Sequence, residues 1–189
     1  KDPAAIPVKA ANLVCGDFNG DGWIDMAFYG EPAGLYILYQ QEPTESKPAK
    51  LKWQPIRKIK IEDGLPLPNA LEKSDINSDG KDDLILAGVN CFYVLASNEE
   101  GAIGEEVRYP VTGSIAAIRS GDVNADGISD LIIITQHIEK PLNVRLGQEG
   151  GKLRPQIQLK METPIAIDIF NYDGVKGDEI LCVDAKNGR

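Results

Sequence analysis

The sequence predicts an all-β fold made of repeated four-stranded antiparallel sheets. Three observations carry this expectation. A nine-residue acidic pattern recurs along the chain at nearly even intervals. Each copy is followed at once by an apolar run of strand length. No segment keeps helical periodicity over the roughly 11 residues a helix needs.

The pattern reads Asp-x-Asn-x-Asp-Gly-x-x-Asp. It stands in GDFNGDGWIDMAFYG (Gly16 to Gly30), SDINSDGKDDLILAG (Ser74 to Gly88) and GDVNADGISDLIIIT (Gly121 to Thr135). A degraded copy, DIFNYDGVKGDEILCVD, starts at Asp168. The first aspartates, Asp17, Asp75 and Asp122, and then Asp168, lie about 58, 47 and 46 residues apart. A fixed period of this size is the mark of a repeat architecture.

The elements of each unit follow in order. An apolar-rich segment precedes each loop: AANLVCG, NALEKS, SIAAIRSG and TPIAI. The run after each loop (DMAFYG, DLILAG, DLIIIT, DEILCVD) is almost unbroken in its apolar character, as a strand covered on both faces should be. A third segment follows after a turn: GLYILYQ, CFYVLAS and LNVRLGQ. The fourth, IRKIKIE, EEVRYPV or PQIQLKM, alternates polar and apolar residues, which suits a half-exposed edge. In the first of these, Ile56 to Lys60 reads as a solvated edge-strand face. Glycine-rich and asparagine-rich turns separate the segments. Four short strands in about 47 residues is the arrangement of a β-propeller blade, stable only when stacked on its neighbours. The chain therefore reads as one segment, 1–189, with repeats near 10–66, 67–113 and 114–163 and a partial one at 164–189. The extra length of the first unit falls in Gln40 to Lys52, read as an exposed loop. KDPAAIPVK at the start reads as the outer strand of an earlier blade.

Composition narrows the function. The chain is 42% hydrophobic and 26% charged, enough to bury a core. A formal charge of −9 argues against nucleic acid or an anionic membrane as partner. No apolar stretch approaches the roughly 18 residues of a membrane span. The sequence starts at Lys1 without a signal peptide, so it reads as a processed chain or an excerpt. Cys15, Cys91 and Cys182 are too few for a disulfide framework and read as small buried apolar residues. His137, the single histidine, sits on a turn with no nucleophile pattern near it. No Gly-x-Ser-x-Gly, phosphate loop or Cys-x-x-Cys occurs, and the reading is non-enzymatic. Trp23, Trp53 and the six tyrosines read mostly as packing between blades, with sugar stacking as the alternative.

The acidic loops point to a hard cation. Oxygen donors at positions one, three and five, a glycine at six for the bend, a backbone carbonyl at seven and a carboxylate at nine suit calcium, which takes about six to eight oxygens. Three crowded carboxylates would otherwise repel one another. An EF-hand needs a glutamate at position twelve and flanking helices; Phe28, Leu86 and Ile133 stand there instead. The competing reading is a cation-free network of Asx turns. In the fourth copy, counted from Asp173 and Gly174, Ile169 and Gly177 occupy ligand positions, so a fourth site near Asp173 is doubtful.

These loops, followed by FYGEPAGLYILY (Phe28 to Tyr39), resemble the FG-GAP/VCBS repeats of integrin-alpha-type calcium-binding β-propellers. The resemblance implies a partial propeller of about three and a half blades from a seven-bladed ring, and about three structural calcium ions. It implies as ligands Asp17, Asn19, Asp21, the Trp23 carbonyl and Asp25; Asp75, Asn77, Asp79, the Lys81 carbonyl and Asp83; and Asp122, Asn124, Asp126, the Ile128 carbonyl and Asp130. It implies a secreted, extracellular, cell-surface or periplasmic setting and a propeller face that binds a protein or glycan, as in cell adhesion. Another chain or segment would complete the ring. Two alternatives stand beside this: a lectin-type propeller, and a scaffold or accessory module of a polysaccharide-degrading enzyme.

Overall fold

The structure, a computed structural model, describes residues 9–42, 51–136 and 139–184. The described residues form strands and turns, with no helix among them. His137 and most of the first-unit loop lie outside them.

The first sheet contains β1 (Lys9–Ala10), β2 (Val14–Gly16), β3 (Asp25–Glu31), β4 (Gly34–Leu38) and, beyond the small hairpin β5 (Gln40–Gln41) and β6 (Lys52–Trp53), the edge strand β7 (Arg57–Ile59). The second runs β8 (Leu71–Ser74), β9 (Asp83–Gly88), β10 (Cys91–Ser97), β11 (Ile103–Pro110). The third comprises β12 (Ser114–Gly121), β13 (Asp130–Gln136) and β14 (Leu142–Arg145), then the hairpin β15 (Gly147–Gln148) and β16 (Lys152–Leu153), and last β17 (Ile157–Leu159). The hairpin β18 (Pro164–Phe170) and β19 (Glu179–Asp184) follows. Every strand pairing among the described residues is antiparallel; the second and third sheets are four-stranded blade-like meanders, and the first is one whose outer strand is split into β1 and β2.

The second strands explain the stacking. Along β9, Leu84 and Leu86 pack with Ala27, Tyr29 and Ile37 of the first sheet. Their neighbours Ile85 and Ala87 pack with Leu131 and Ile133 of the third. Ile132 and Ile134 then meet Ile167 and Ile180 of the last hairpin. A strand alternates its side chains between two faces, and here both faces are covered, which is why DLILAG and DLIIIT carry no polar alternation. Each such Leu or Ile contributes roughly 1.5–3 kcal/mol by leaving water. At the middle junction, Phe92 stacks on Tyr109 with ring centroids 5.1 Å apart, and the Arg145 guanidinium lies over both rings.

Four details depart from the sequence reading. The first strand of sheet one is broken: β1 and β2 both pair with β3, and Asn12 fills the gap. Its Oδ1 accepts from the Tyr29 N–H at 2.9 Å and its Nδ2 donates to the Leu67 carbonyl at 3.1 Å. Lys9, expected in an earlier blade, therefore belongs to sheet one; residues 1–8 lie outside the described residues. Cys15 is exposed rather than buried, because it pairs with Met26 on the side of sheet one facing away from sheet two. Cys91 is buried and Cys182 half-buried. Finally β17, the outermost strand of sheet three, is exposed along its whole length rather than half-exposed. The aromatic residues divide: Tyr29, Tyr39 and Tyr93 pack between sheets, whereas Trp23 and Tyr172 face solvent.

Candidate metal centre

The three intact loops link the first and second strands of their sheets. Strand pairing closes each one identically, at Gly16 with Asp25, Ser74 with Asp83 and Gly121 with Asp130. The backbone turns through the left-handed region twice per loop. Position six is glycine, with φ of 84°, 84° and 92° at Gly22, Gly80 and Gly127. Position four is Gly20 in loop one but Ser78 and Ala125, at φ 60° and 62°, in loops two and three.

The side chains at positions one, three and five fold over these bends. In loop one, Asp17 Oδ1 accepts from the N–H groups of Gly20 (2.7 Å) and Asp21 (3.1 Å), and Oδ2 from Gly22 (2.8 Å). Asn19 Oδ1 accepts from the Asp21 N–H at 3.0 Å, and Asn19 Nδ2 donates to Asp21 Oδ2 at 2.9 Å. Asp21 Oδ1 accepts from the Trp23 N–H at 2.8 Å. Asp75, Asn77, Asp79 and Lys81 repeat this arrangement apart from the position-four N–H bond, as do Asp122, Asn124, Asp126 and Ile128. The Ile128 N–H, and then the Asn124 amide, hold the Asp126 carboxyl below its ordinary range.

Position nine behaves differently. Asp25, Asp83 and Asp130 are completely buried. One oxygen of each accepts from the position-two N–H: Phe18 at 3.1 Å, Ile76 at 3.0 Å, Val123 at 3.0 Å. The other accepts from the residue that leaves the third strand: Gln40 at 2.8 Å, Ser97 at 2.7 Å, Gly147 at 2.8 Å. The position-nine carboxylate is thus a staple between loop and sheet. Burial pushes Asp25 and Asp83 up to about 6, against the pull of these two N–H groups, and raises Asp130 in the same way.

The sequence reading missed position two. Phe18 and Ile76 are fully buried and peg their loops into the core. The signal was present as an apolar residue between the first two donors of every copy: Phe18, Ile76, Val123 and Tyr172.

The fourth loop needs a corrected register. Phe170 pairs with Glu179, so Glu179, not Gly177, holds position nine, and its Oε2 accepts from the Tyr172 N–H at 2.7 Å. Position one is then Asn171, position three Asp173 and position five Val175. Asn171 Oδ1 accepts from the Gly174 N–H at 2.6 Å, while its Nδ2 donates to the Val175 and Gly177 carbonyls. An amide N–H₂ and a valine stand where the intact loops carry carboxylates.

The donor chemistry of the three intact loops fits a hard cation. Every side chain they offer at positions one, five and nine is a carboxylate, and each oxygen that accepts a single N–H keeps a further lone pair, whereas Asp17 Oδ1 accepts two. Among the described residues no three His, Cys, Asp or Glu side chains converge as a ready-made metal cluster. Instead the Asn19, Asn77 and Asn124 amide N–H groups each donate one hydrogen bond to the position-five carboxylate and leave its charge in place.

Stacked antiparallel sheets that each carry such a loop between their first and second strands define a β-propeller-type repeat module. Residues 75–133, spanning loop two to the middle of β13, match the FG-GAP-like repeat. No curated protein matches the chain.

Proposed function

We propose that the chain is a non-enzymatic, calcium-stabilised β-propeller segment of an extracellular or cell-surface protein, whose propeller face serves as a platform for a protein or glycan partner. One observation carries this reading: three loops of the same register hold Asp, Asn and Asp over one bend on all-oxygen chemistry. Asp17, Asn19 and Asp21, and their counterparts in loops two and three, would hold the ions. The cation would neutralise charge that the turn network alone leaves unbalanced. Three divalent ions would bring the formal charge from −9 to −3. Affinities on the order of 10⁻⁴–10⁻³ M suffice where calcium is abundant, which is the argument for an extracellular setting.

Calorimetric titration with calcium, paired with thermal unfolding in chelator and in millimolar calcium, tests the reading. The expected result is about three binding events. In about 1 mM calcium, with affinities of this order, each site should add about 0.4–1.4 kcal/mol of stability. No heat of binding together with identical unfolding in both buffers would refute it.

A further inference from the structure

We propose that Asp82 and Asp178 are inter-sheet latches that hold loops one and three in shape from the following sheet, whereas loop two folds without one. Both latches stand at position eight of their own loops, a position outside the repeat pattern. Asp82 Oδ2 accepts from the Asp17 N–H at 3.0 Å, and the Asp82 N–H donates to the Asp17 carbonyl at 3.0 Å. Asp178 does the same to Asp122, with both bonds at 2.8 Å. The first donor residue of one loop is therefore gripped on both backbone groups by the next unit. Lys73 Nζ, 2.8 Å from Asp82 Oδ2, fixes the first latch further.

The latch requires a glycine opposite. A Cβ on Gly16 would lie 2.4 Å from Asp82 Oδ2. A Cβ on Gly121 would lie 2.8 Å from Asp178 Oδ2 and 2.4 Å from Ile169 Cγ2. At the middle junction both halves of the device are replaced together: Ser74 stands for the glycine and Ser129 for the aspartate. That junction is held elsewhere, by Ser120 Oγ donating to the Lys73 carbonyl at 3.2 Å and Arg119 donating to Asn69 Oδ1 at 2.9 Å. Loop two also carries its own ammonium, with Lys81 Nζ 3.6 Å from Asp79 Oδ2.

Fixing the backbone of position one fixes where its carboxylate hangs, and groups ordered in advance bind with less ordering cost. Loops one and three should therefore fill with calcium before loop two. This ordering rests on the calcium reading above; the latch itself does not.

The test uses the full chain, with amide exchange measured by NMR in chelator, then a calcium titration followed at the Gly22, Gly80 and Gly127 amides. D82S should speed exchange at Asp17 about tenfold, the worth of a charge-assisted hydrogen bond, and leave Asp75 unchanged. It should also raise the Gly22 calcium midpoint above that of the parent chain without moving that of Gly80. The converse variant, S74G with S129D, should slow exchange at Asp75 and lower the Gly80 midpoint. Equal Asp17 exchange in the parent chain and D82S overturns the latch. If D82S fails to fold, an unprotected Asp75 in S74G/S129D overturns it. If no glycine amide responds to calcium while the exchange differences hold, the filling order and the calcium reading fall and the latch stands.

Discussion

Replacing Asp83 by asparagine separates a staple from a ligand. Asp83 is buried, and each of its oxygens accepts one backbone N–H, from Ile76 at 3.0 Å and Ser97 at 2.7 Å. Asparagine keeps one acceptor and turns an NH₂ toward the other N–H, leaving two buried donors face to face. An unsatisfied buried donor costs about 1–3 kcal/mol, so D83N should lose about 2–3 kcal/mol even in chelator. For a chain of this length that is a drop in Tm of about 4–12 °C. Urea unfolding in excess chelator measures it, with D21N, on an exposed carboxylate, as the control expected within about 0.5 kcal/mol of the parent. If D83N matches the parent in chelator and falls behind only in calcium, position nine is a ligand alone and the staple argument is wrong.

Other outcomes follow from the same geometry. Phe92→Ala empties a fully buried site and removes the stack on Tyr109; urea unfolding should show a loss of about 3–5 kcal/mol. Asp25 and Asp83 titrate higher in the folded chain, about 6, than their ordinary 3.8, so in the folded state they hold protons that the unfolded chain has released. Their contribution to the stability of the cation-free chain is thus greatest below about pH 4 and falls as pH rises through 4 to 6, measurable as Tm against pH in the parent and D25N/D83N. A thiol reagent should label Cys15 at once, Cys182 more slowly and Cys91 only on unfolding, which mass spectrometry after timed quenching would show.

Much of the architecture was legible because the repeats state their own register. The apolar runs after each acidic loop became β3, β9, β13 and β19 almost residue for residue, since burial on both faces admits no polar interruption. What stayed hidden depended on atoms far apart in the chain. The broken strand at Asn12 exists because its amide substitutes for a ladder bond and reaches Leu67, a partner no local pattern announces. The fourth loop was counted from its Asp-Gly pair, whereas the Phe170–Glu179 pairing sets the frame. Nothing in the repeat pattern marked Asp82 or Asp178, because their partners belong to the preceding unit.

Ser78 and Ala125 give the loops a mechanical character. Each sits in the left-handed region without being glycine, a conformation that costs an L-residue roughly 1–2 kcal/mol. Their loops behave as bent springs, held closed by the aspartates folded across them, while Gly20 lets loop one take the same curve at rest. Cutting the hold in loops two or three should let the bend recoil, and a glycine at 78 or 125 should remove the tension without touching a single donor.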